Sequence, residues 1–137
     1  MTIKNEEDII MTPVKLIRRA KEAMQHAYTP YSNFKVGAAL LTAEGKVYLG
    51  CNIENAAYSP SNCAERTAFF KAVYEGERNF TAIAVVGGKN GVIEDIFPPC
   101  GVCRQVMQEF CGPDFMIYMG RSDDSYVAVR LEDFLPY

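Results

Sequence analysis

The chain has 137 residues, 49% of them hydrophobic and 23% charged, which suits one globular domain and excludes a disordered or fibrous protein. A formal net charge of -3 and scattered basic residues argue against a nucleic-acid polymer as partner. No segment has the apolar length of a membrane span, and the acidic N-terminus is unlike a secretion signal, so we expect a cytoplasmic protein with no membrane partner.

Helical and strand-like patterns alternate after a polar lead-in, residues 1–11, which we expect to be mobile. Thr12-Pro13 has the N-cap and first-position proline typical of a helix start, and Gly45 suits the left-handed position of a short hairpin. The periodicity of apolar residues then predicts each element. In chain order these are a helix over 14–28, strands over 36–41 and 47–51, a helix over 63–74, a strand over 82–86, a helix over 100–110, and strands over 115–119 and 126–130.

This order of elements predicts a single α/β domain over 1–137, with a mixed five-stranded sheet and helices on both faces. The connection over 122–125 is so short that the last two strands must be antiparallel. The stretch from 87 to 99 is rich in glycine and proline, and we expect a long loop there.

The strongest functional pattern is formed by two cysteine motifs, CAER beginning at Cys63 and PCGVC ending at Cys103. Cys100 and Cys103 lie three residues apart on one helical turn and share a face, while the distant Cys63 can supply a third thiolate. Three protein ligands leave one position open, as in catalytic zinc sites. Glu65, two residues after Cys63, can reach a water at that position and carry its proton.

These motifs resemble the signature of the cytidine deaminase family, in the homotetrameric form that binds zinc through three cysteines. The resemblance covers nearly all of residues 14–137, including YSNFKVGAAL, CNIENAAY, CAERTA and PCGVCRQV. It implies the three-layer α/β/α fold of that family and one Zn²⁺ per subunit. It also implies a hydrolase of pyrimidine salvage that converts cytidine and 2′-deoxycytidine to uridine and 2′-deoxyuridine with release of ammonia.

The same resemblance implies a role for individual residues. Zinc-bound hydroxide would attack carbon C4 of the ring, with Glu65 as the proton shuttle and Arg66 hydrogen bonded to ligand sulfur. The implied zinc ligands are Cys63, Cys100 and Cys103. The implied substrate contacts are Phe34 against the pyrimidine, Asn52 and Glu54 at the ribose 3′-hydroxyl, Ala64, and Ala56 and Tyr58 in a neighbouring subunit's site. Relatives usually continue beyond the Leu-Pro-Tyr of 135–137 with a phenylalanine that reaches a partner's site, and no residue is assigned to that role here.

Two other functions remain open from the sequence. A deaminase of another cytosine-containing small molecule, such as blasticidin S, would share the zinc motifs, although the segment 52–55 favours ribose recognition. A non-catalytic zinc module that binds RNA or protein would share the C-x-x-C pattern, although Glu65 and the acidic balance argue against it. The carboxylate of Glu54 would also repel a 3′-phosphate, which favours free nucleosides over polynucleotides.

Several residues also have a simpler interpretation. His26, the one histidine, suits a surface or packing role, and Cys51 and Cys111 suit small buried positions outside the site. Read without the family, Phe34 would be a core residue and Asn52 a turn residue.

Overall fold

A computed structural model describes residues 10–58 and 60–134 of the chain. Most of the predicted mobile lead-in, and residues 135–137, lie outside these ranges. The helices are α1 (Pro13–Met24), α2 (Ala64–Tyr74), α3 (Gly101–Phe110) and α4 (Leu131–Phe134). The strands are β1 (Phe34–Thr42), β2 (Val47–Cys51), β3 (Phe80–Lys89), β4 (Met116–Gly120) and β5 (Tyr126–Arg130).

The five strands form one mixed sheet in the order β2-β1-β3-β4-β5. Strands β3 and β4 are parallel, and every other neighbouring pair is antiparallel. The antiparallel pairing of β4 with β5 was predicted from the short connection between them and is confirmed. Gly45 has φ +92° in the turn between β1 and β2, the left-handed conformation expected there.

Helices cover both faces of this sheet because successive residues of its strands point to opposite sides. On one face, Leu16 and Ile17 of α1 pack with Ala39 of β1 and Ala84 of β3. The other face packs against α2 and α3, and its cluster includes Ala38, Leu40, Ile83, Val85, Ala68, Phe69 and Met107. The predicted three-layer α/β/α architecture is confirmed. Within the described ranges, no helix combines the length and hydrophobicity that a membrane span requires.

Helix α1 ends four residues earlier than the periodicity predicts, at Met24 instead of Tyr28. The apolar residues Ala27 and Tyr28 continue the helical spacing, but the Tyr28 N–H donates to the Asn52 carbonyl at 3.0 Å. Tyr28 thus pairs with the segment that follows β2, and this long-range backbone contact outweighs the local helical pattern.

Strand β3 is longer than predicted because it continues through Gly87 and Gly88 to Lys89. These glycines pair with Val36 and Lys35 of β1 and do not interrupt the strand. At Gly88 a Cβ would lie 1.8 Å from the Val92 carbonyl oxygen, so the glycine is required by a close approach of the following turn. The loop predicted over 87–99 therefore begins after Lys89. Helix α4 was not predicted, since its single turn is too short to show a periodic pattern.

Gly50 of β2 lets helix α2 approach the sheet closely. A Cβ at Gly50 would lie 2.3 Å from the Ala64 carbonyl oxygen and 2.6 Å from the Ala68 backbone nitrogen. Because both atoms belong to the helix backbone, the contact cannot be relieved by a side-chain movement. We expect Gly50→Ala to lower the free energy of unfolding by about 1–3 kcal/mol, measured by urea denaturation.

The matched control is Gly112→Ala, because a Cβ at Gly112 would meet nothing within 4 Å. Its free energy of unfolding should change by less than about 0.5 kcal/mol. Equal small effects of the two substitutions would contradict the tight packing of α2 on β2.

Candidate active site

Three cysteines from two distant parts of the chain meet between the N-termini of α2 and α3. Cys63 is the N-cap residue of α2, Cys100 is the N-cap residue of α3, and Cys103 lies buried in the first turn of α3. The Sγ atoms of Cys63 and Cys100 are 3.6 Å apart, and those of Cys100 and Cys103 are 3.2 Å apart. All three sulfurs lie within 4.8 Å of one another, so the structure brings the sequence-predicted ligand set together.

The geometry of this cysteine group suits a zinc ion. Zinc–thiolate bonds of about 2.3 Å in a tetrahedral site place two sulfurs about 3.8 Å apart, close to the separations found here. Each of the two N-cap cysteines lies at the positive end of a helix dipole, and the Cys103 N–H donates to Cys100 Sγ at 3.4 Å. Among the described residues no fourth Cys, His, Asp or Glu joins the group, and His26 lies exposed outside it. These residues fit a zinc ion with three thiolate ligands and an open fourth position.

Glu65 is a buried carboxylate beside the cysteine group. Its side chain is 1% exposed, and Oε1 has no hydrogen-bond partner within the described ranges. Burial first, and then the charge of the neighbouring Cys63, raise the pKa of Glu65 to about 7. Buried polar atoms nearly always have a hydrogen-bond partner, so the unpartnered Oε1 of Glu65 indicates a binding position for a ligand or a water.

Arg66, the next residue of α2, donates from Nη2 to Cys63 Sγ at 3.1 Å. Hydrogen bonding with Cys103 and with Arg66 lowers the pKa of Cys63 to about 5, whereas the Cys63 sulfur and burial raise the pKa of Cys103. The guanidinium charge offsets part of the negative charge that three thiolates would bring to a metal. The resemblance implied this contact between Arg66 and a ligand sulfur, and the side chain is placed to make it.

A cleft of about 660 Å³ opens over the cysteine group and Glu65. The rings of Phe34 and Phe97 lie on its lining with centroids 5.2 Å apart and an interplanar angle of 40°. Ala64, the first residue of α2, is fully buried and contributes to the same lining. Phe97 was missed by the sequence analysis because a single phenylalanine in a loop carries no periodic signal; its position three residues before Cys100 is the signal that could have found it.

Glu54 occupies a polar part of the cleft lining. Its Oε1 accepts hydrogen bonds from the N–H groups of Tyr31 at 3.0 Å and Ser32 at 3.1 Å, and its Oε2 accepts one from the Ser32 hydroxyl. These bonds, the one from the Ser32 hydroxyl first, lower the pKa of Glu54. The carboxylate is therefore held ionised and remains able to accept a further donor from the cleft.

Asn52 links the start of β1 to the same part of the lining. Its Oδ1 accepts from the Val36 N–H at 2.9 Å, and its Nδ2 donates to the Phe34 carbonyl at 2.8 Å. One amide hydrogen and one oxygen lone pair remain for a ligand. Asn52 thus also fixes the backbone that carries Phe34, a structural role that the sequence analysis did not predict.

Ala56 and Tyr58 lie on the exposed loop between β2 and α2. Tyr58 is 85% exposed, has φ +62° and contributes to the lining of the cleft.

Cys51 and Cys111 are partly buried thiols outside the cysteine group, and burial raises the pKa of Cys111 to about 12. The sequence predicts both cysteines to lie outside the site, and the structure places them there.

Comparison with known proteins gives one consistent result. Residues 11–119 match the family model for the cytidine and deoxycytidylate deaminase zinc-binding region. A cytidine deaminase of Sporosarcina psychrophila is 56% identical over 122 residues, which are 89% of this chain and 87% of that protein. A cytidine deaminase of Halalkalibacterium halodurans is 49% identical over 121 residues, or 88% of this chain and 89% of that protein. The crystal structure of cytidine deaminase from Burkholderia pseudomallei superimposes with a TM-score of 0.85 at 48% identity, covering 92% of this chain and 98% of that one.

Proposed function

The chain belongs to the cytidine and deoxycytidylate deaminase family, and on that premise we propose that its cleft binds a free cytosine nucleoside and deaminates it by hydrolysis. Cytidine and water would give uridine and ammonia, and 2′-deoxycytidine would give 2′-deoxyuridine. The observation that carries this proposal is the unpartnered Oε1 of Glu65 beside the three grouped sulfurs, at a cleft whose lining includes Glu65, Cys63 and Cys100. A cleft of about 660 Å³ is of the size that binds small molecules.

Cys63, Cys100 and Cys103 would hold the zinc ion. When bound there, zinc supplies Lewis acidity that makes water a nucleophile near neutral pH. Arg66 donates a hydrogen bond to the Cys63 sulfur, and its positive charge offsets part of the negative charge of the three thiolates.

Glu65 moves the protons of the reaction. Its carboxylate takes one proton from the attacking water and gives a proton to ring nitrogen N3. It then takes the proton of the new hydroxyl group on C4 and supplies it to the departing amino group, so that ammonia leaves and the ring keeps a carbonyl at C4 and a proton on N3. Burial with a raised pKa suits this role, because the group must accept and return a proton at neutral pH.

The remaining cleft residues select and orient the nucleoside. Phe34 and Phe97 supply aromatic surface for the pyrimidine, and Ala64 limits the space beside it. Glu54, with the free amide hydrogen of Asn52, binds the ribose 3′-hydroxyl. A 3′-phosphate would meet the Glu54 carboxylate and be repelled, so a nucleic-acid polymer is a poor substrate.

The subunit organisation is part of the proposal. The chain forms a single domain, and four copies assemble so that Ala56 and Tyr58 of one subunit complete the site of a neighbour. Their exposure within one chain leaves them free for such a contact. The enzyme acts in the cytoplasm on free nucleosides. Light scattering at the assay concentration tests the assembly, and a monomer with full activity would overturn it.

A panel of substrates tests the function. We expect turnover of cytidine and 2′-deoxycytidine. For cytidine 3′-monophosphate we expect kcat/KM to be at least about tenfold lower, because its phosphate would lie next to the carboxylate of Glu54, which is fixed by backbone hydrogen bonds. Glu54→Gln should reduce the difference in kcat/KM between cytidine and cytidine 3′-monophosphate, because it removes the charge that repels the phosphate. The measurement is the fall in ultraviolet absorbance on conversion of cytosine to uracil.

Blasticidin S is the comparison compound in the same panel. Turnover of blasticidin S with none of cytidine would replace the proposed substrate by another cytosine-containing small molecule. A zinc-loaded protein that turns over none of these compounds would favour a non-catalytic zinc module.

A further inference from the structure

We propose that Ser32 is a positioning residue whose hydroxyl joins the ribose-binding carboxylate of Glu54 to the backbone of Phe34. This inference rests on the proposed function and extends it, since it names what sets the geometry of the nucleoside contacts. Ser32 belongs to the loop between α1 and β1 and contributes to the lining of the cleft.

The hydroxyl of Ser32 holds one particular oxygen of Glu54. Both backbone donors, the N–H groups of Tyr31 and Ser32, bond to Oε1. Within the described ranges, the hydroxyl of Ser32 is the sole donor to Oε2. The terminal torsion of a glutamate is broad and has no strong intrinsic preference. The Ser32 hydroxyl therefore fixes the rotation of the carboxylate plane, and with it the direction in which a free lone pair faces the cleft.

The same hydroxyl oxygen also accepts a hydrogen bond, from the Phe34 N–H at 3.0 Å. Because that N–H points at the oxygen, the hydroxyl proton is directed away from it and toward Glu54. A hydroxyl that accepts one hydrogen bond becomes a stronger donor in the next. Ser32 thus connects the residue that carries the aromatic surface with the residue that carries the ribose contact.

A purely structural role would not explain this arrangement. Ser32 is exposed, and an exposed hydrogen bond to a carboxylate stabilises a fold little. The hydroxyl is used instead to order a carboxylate that lines the cleft. Loss of the hydroxyl should therefore weaken mainly the binding of substrates that engage that carboxylate.

The test compares a nucleoside that has a 3′-hydroxyl with one that lacks it. We expect Ser32→Ala to raise KM for 2′-deoxycytidine about tenfold and to leave kcat within about twofold, because the lost interaction acts equally on bound substrate and transition state. The inhibition constant of 2′,3′-dideoxycytidine, measured as a competitor, should stay within about twofold of the unsubstituted enzyme. Ser32→Thr keeps the hydroxyl and should restore KM.

Ser125→Ala is the matched control, since the Ser125 hydroxyl also donates to a carboxylate, Asp123 Oδ1 at 2.6 Å, away from the cleft lining. It should leave both constants unchanged. Equal weakening of the two nucleosides by Ser32→Ala, or no weakening of either, would overturn the positioning role. If the unsubstituted enzyme does not turn over cytidine at all, it is the proposed function that fails, so the two failures are distinct.

Discussion

Glu65→Gln should lower kcat for cytidine by about 10²- to 10⁴-fold, the usual contribution of a positioned general acid–base. Glutamine has nearly the same shape as glutamate and fits the buried position, but it cannot accept and return a proton. Since Glu65 is not one of the grouped sulfur ligands, zinc content should stay at the level of the unsubstituted enzyme. The measurement is steady-state turnover together with metal analysis of the same preparation.

Glu109→Gln is the control for this substitution. Glu109 lies exposed on α3 and is not part of the cleft lining, so the same chemical change there should leave kcat unaltered. Unchanged deamination by the zinc-loaded Glu65→Gln variant would exclude the shuttle role.

Cys103→Ser should abolish activity by a different route, through loss of the metal. The serine hydroxyl is not ionised at neutral pH and is a poor ligand beside two thiolates. Changes in residues around the ligands typically weaken metal affinity 10- to 100-fold, and we expect removal of a ligand itself to weaken it by at least about 100-fold. Zinc affinity is measured by competition with a chromophoric chelator.

The control for Cys103→Ser is Cys111→Ser, which replaces a partly buried thiol outside the cysteine group. This variant should bind zinc and turn over cytidine like the unsubstituted enzyme. Full zinc occupancy and activity in Cys103→Ser would remove Cys103 from the ligand set.

The sequence predicts most of the fold because its elements have strong local patterns. The hairpin at Gly45 and the antiparallel last pair follow from short connections, and the burial of β1 and β3 follows from their apolar composition. The predicted and observed elements differ where contacts between distant segments determine the end of a helix or strand. Helix α1 ends early because Tyr28 pairs with the segment after β2, and β3 continues through glycines because β1 lies beside them.

The residues of the site also fall into those that the sequence predicts and those that only the folded structure reveals. Fixed spacing made the cysteine motifs and Glu65 visible in the sequence, since a helical turn places neighbouring ligands on one face. Phe97 and Ser32 carry no such spacing, and their roles depend on the ring contact of Phe97 with Phe34 and on the hydrogen bond from the Ser32 hydroxyl to Glu54, a residue far along the chain. Such contacts are set by the folded chain and not by local pattern.

Metal analysis combined with cytidine turnover tests the central claim most directly, namely that the three sulfurs hold one zinc ion with an open position used for deamination. We expect one zinc per chain, loss of cytidine turnover in proportion to zinc removed by a chelator, and recovery when zinc is returned. Undiminished turnover by zinc-free protein, or a fully loaded protein that leaves cytidine unchanged, would contradict it.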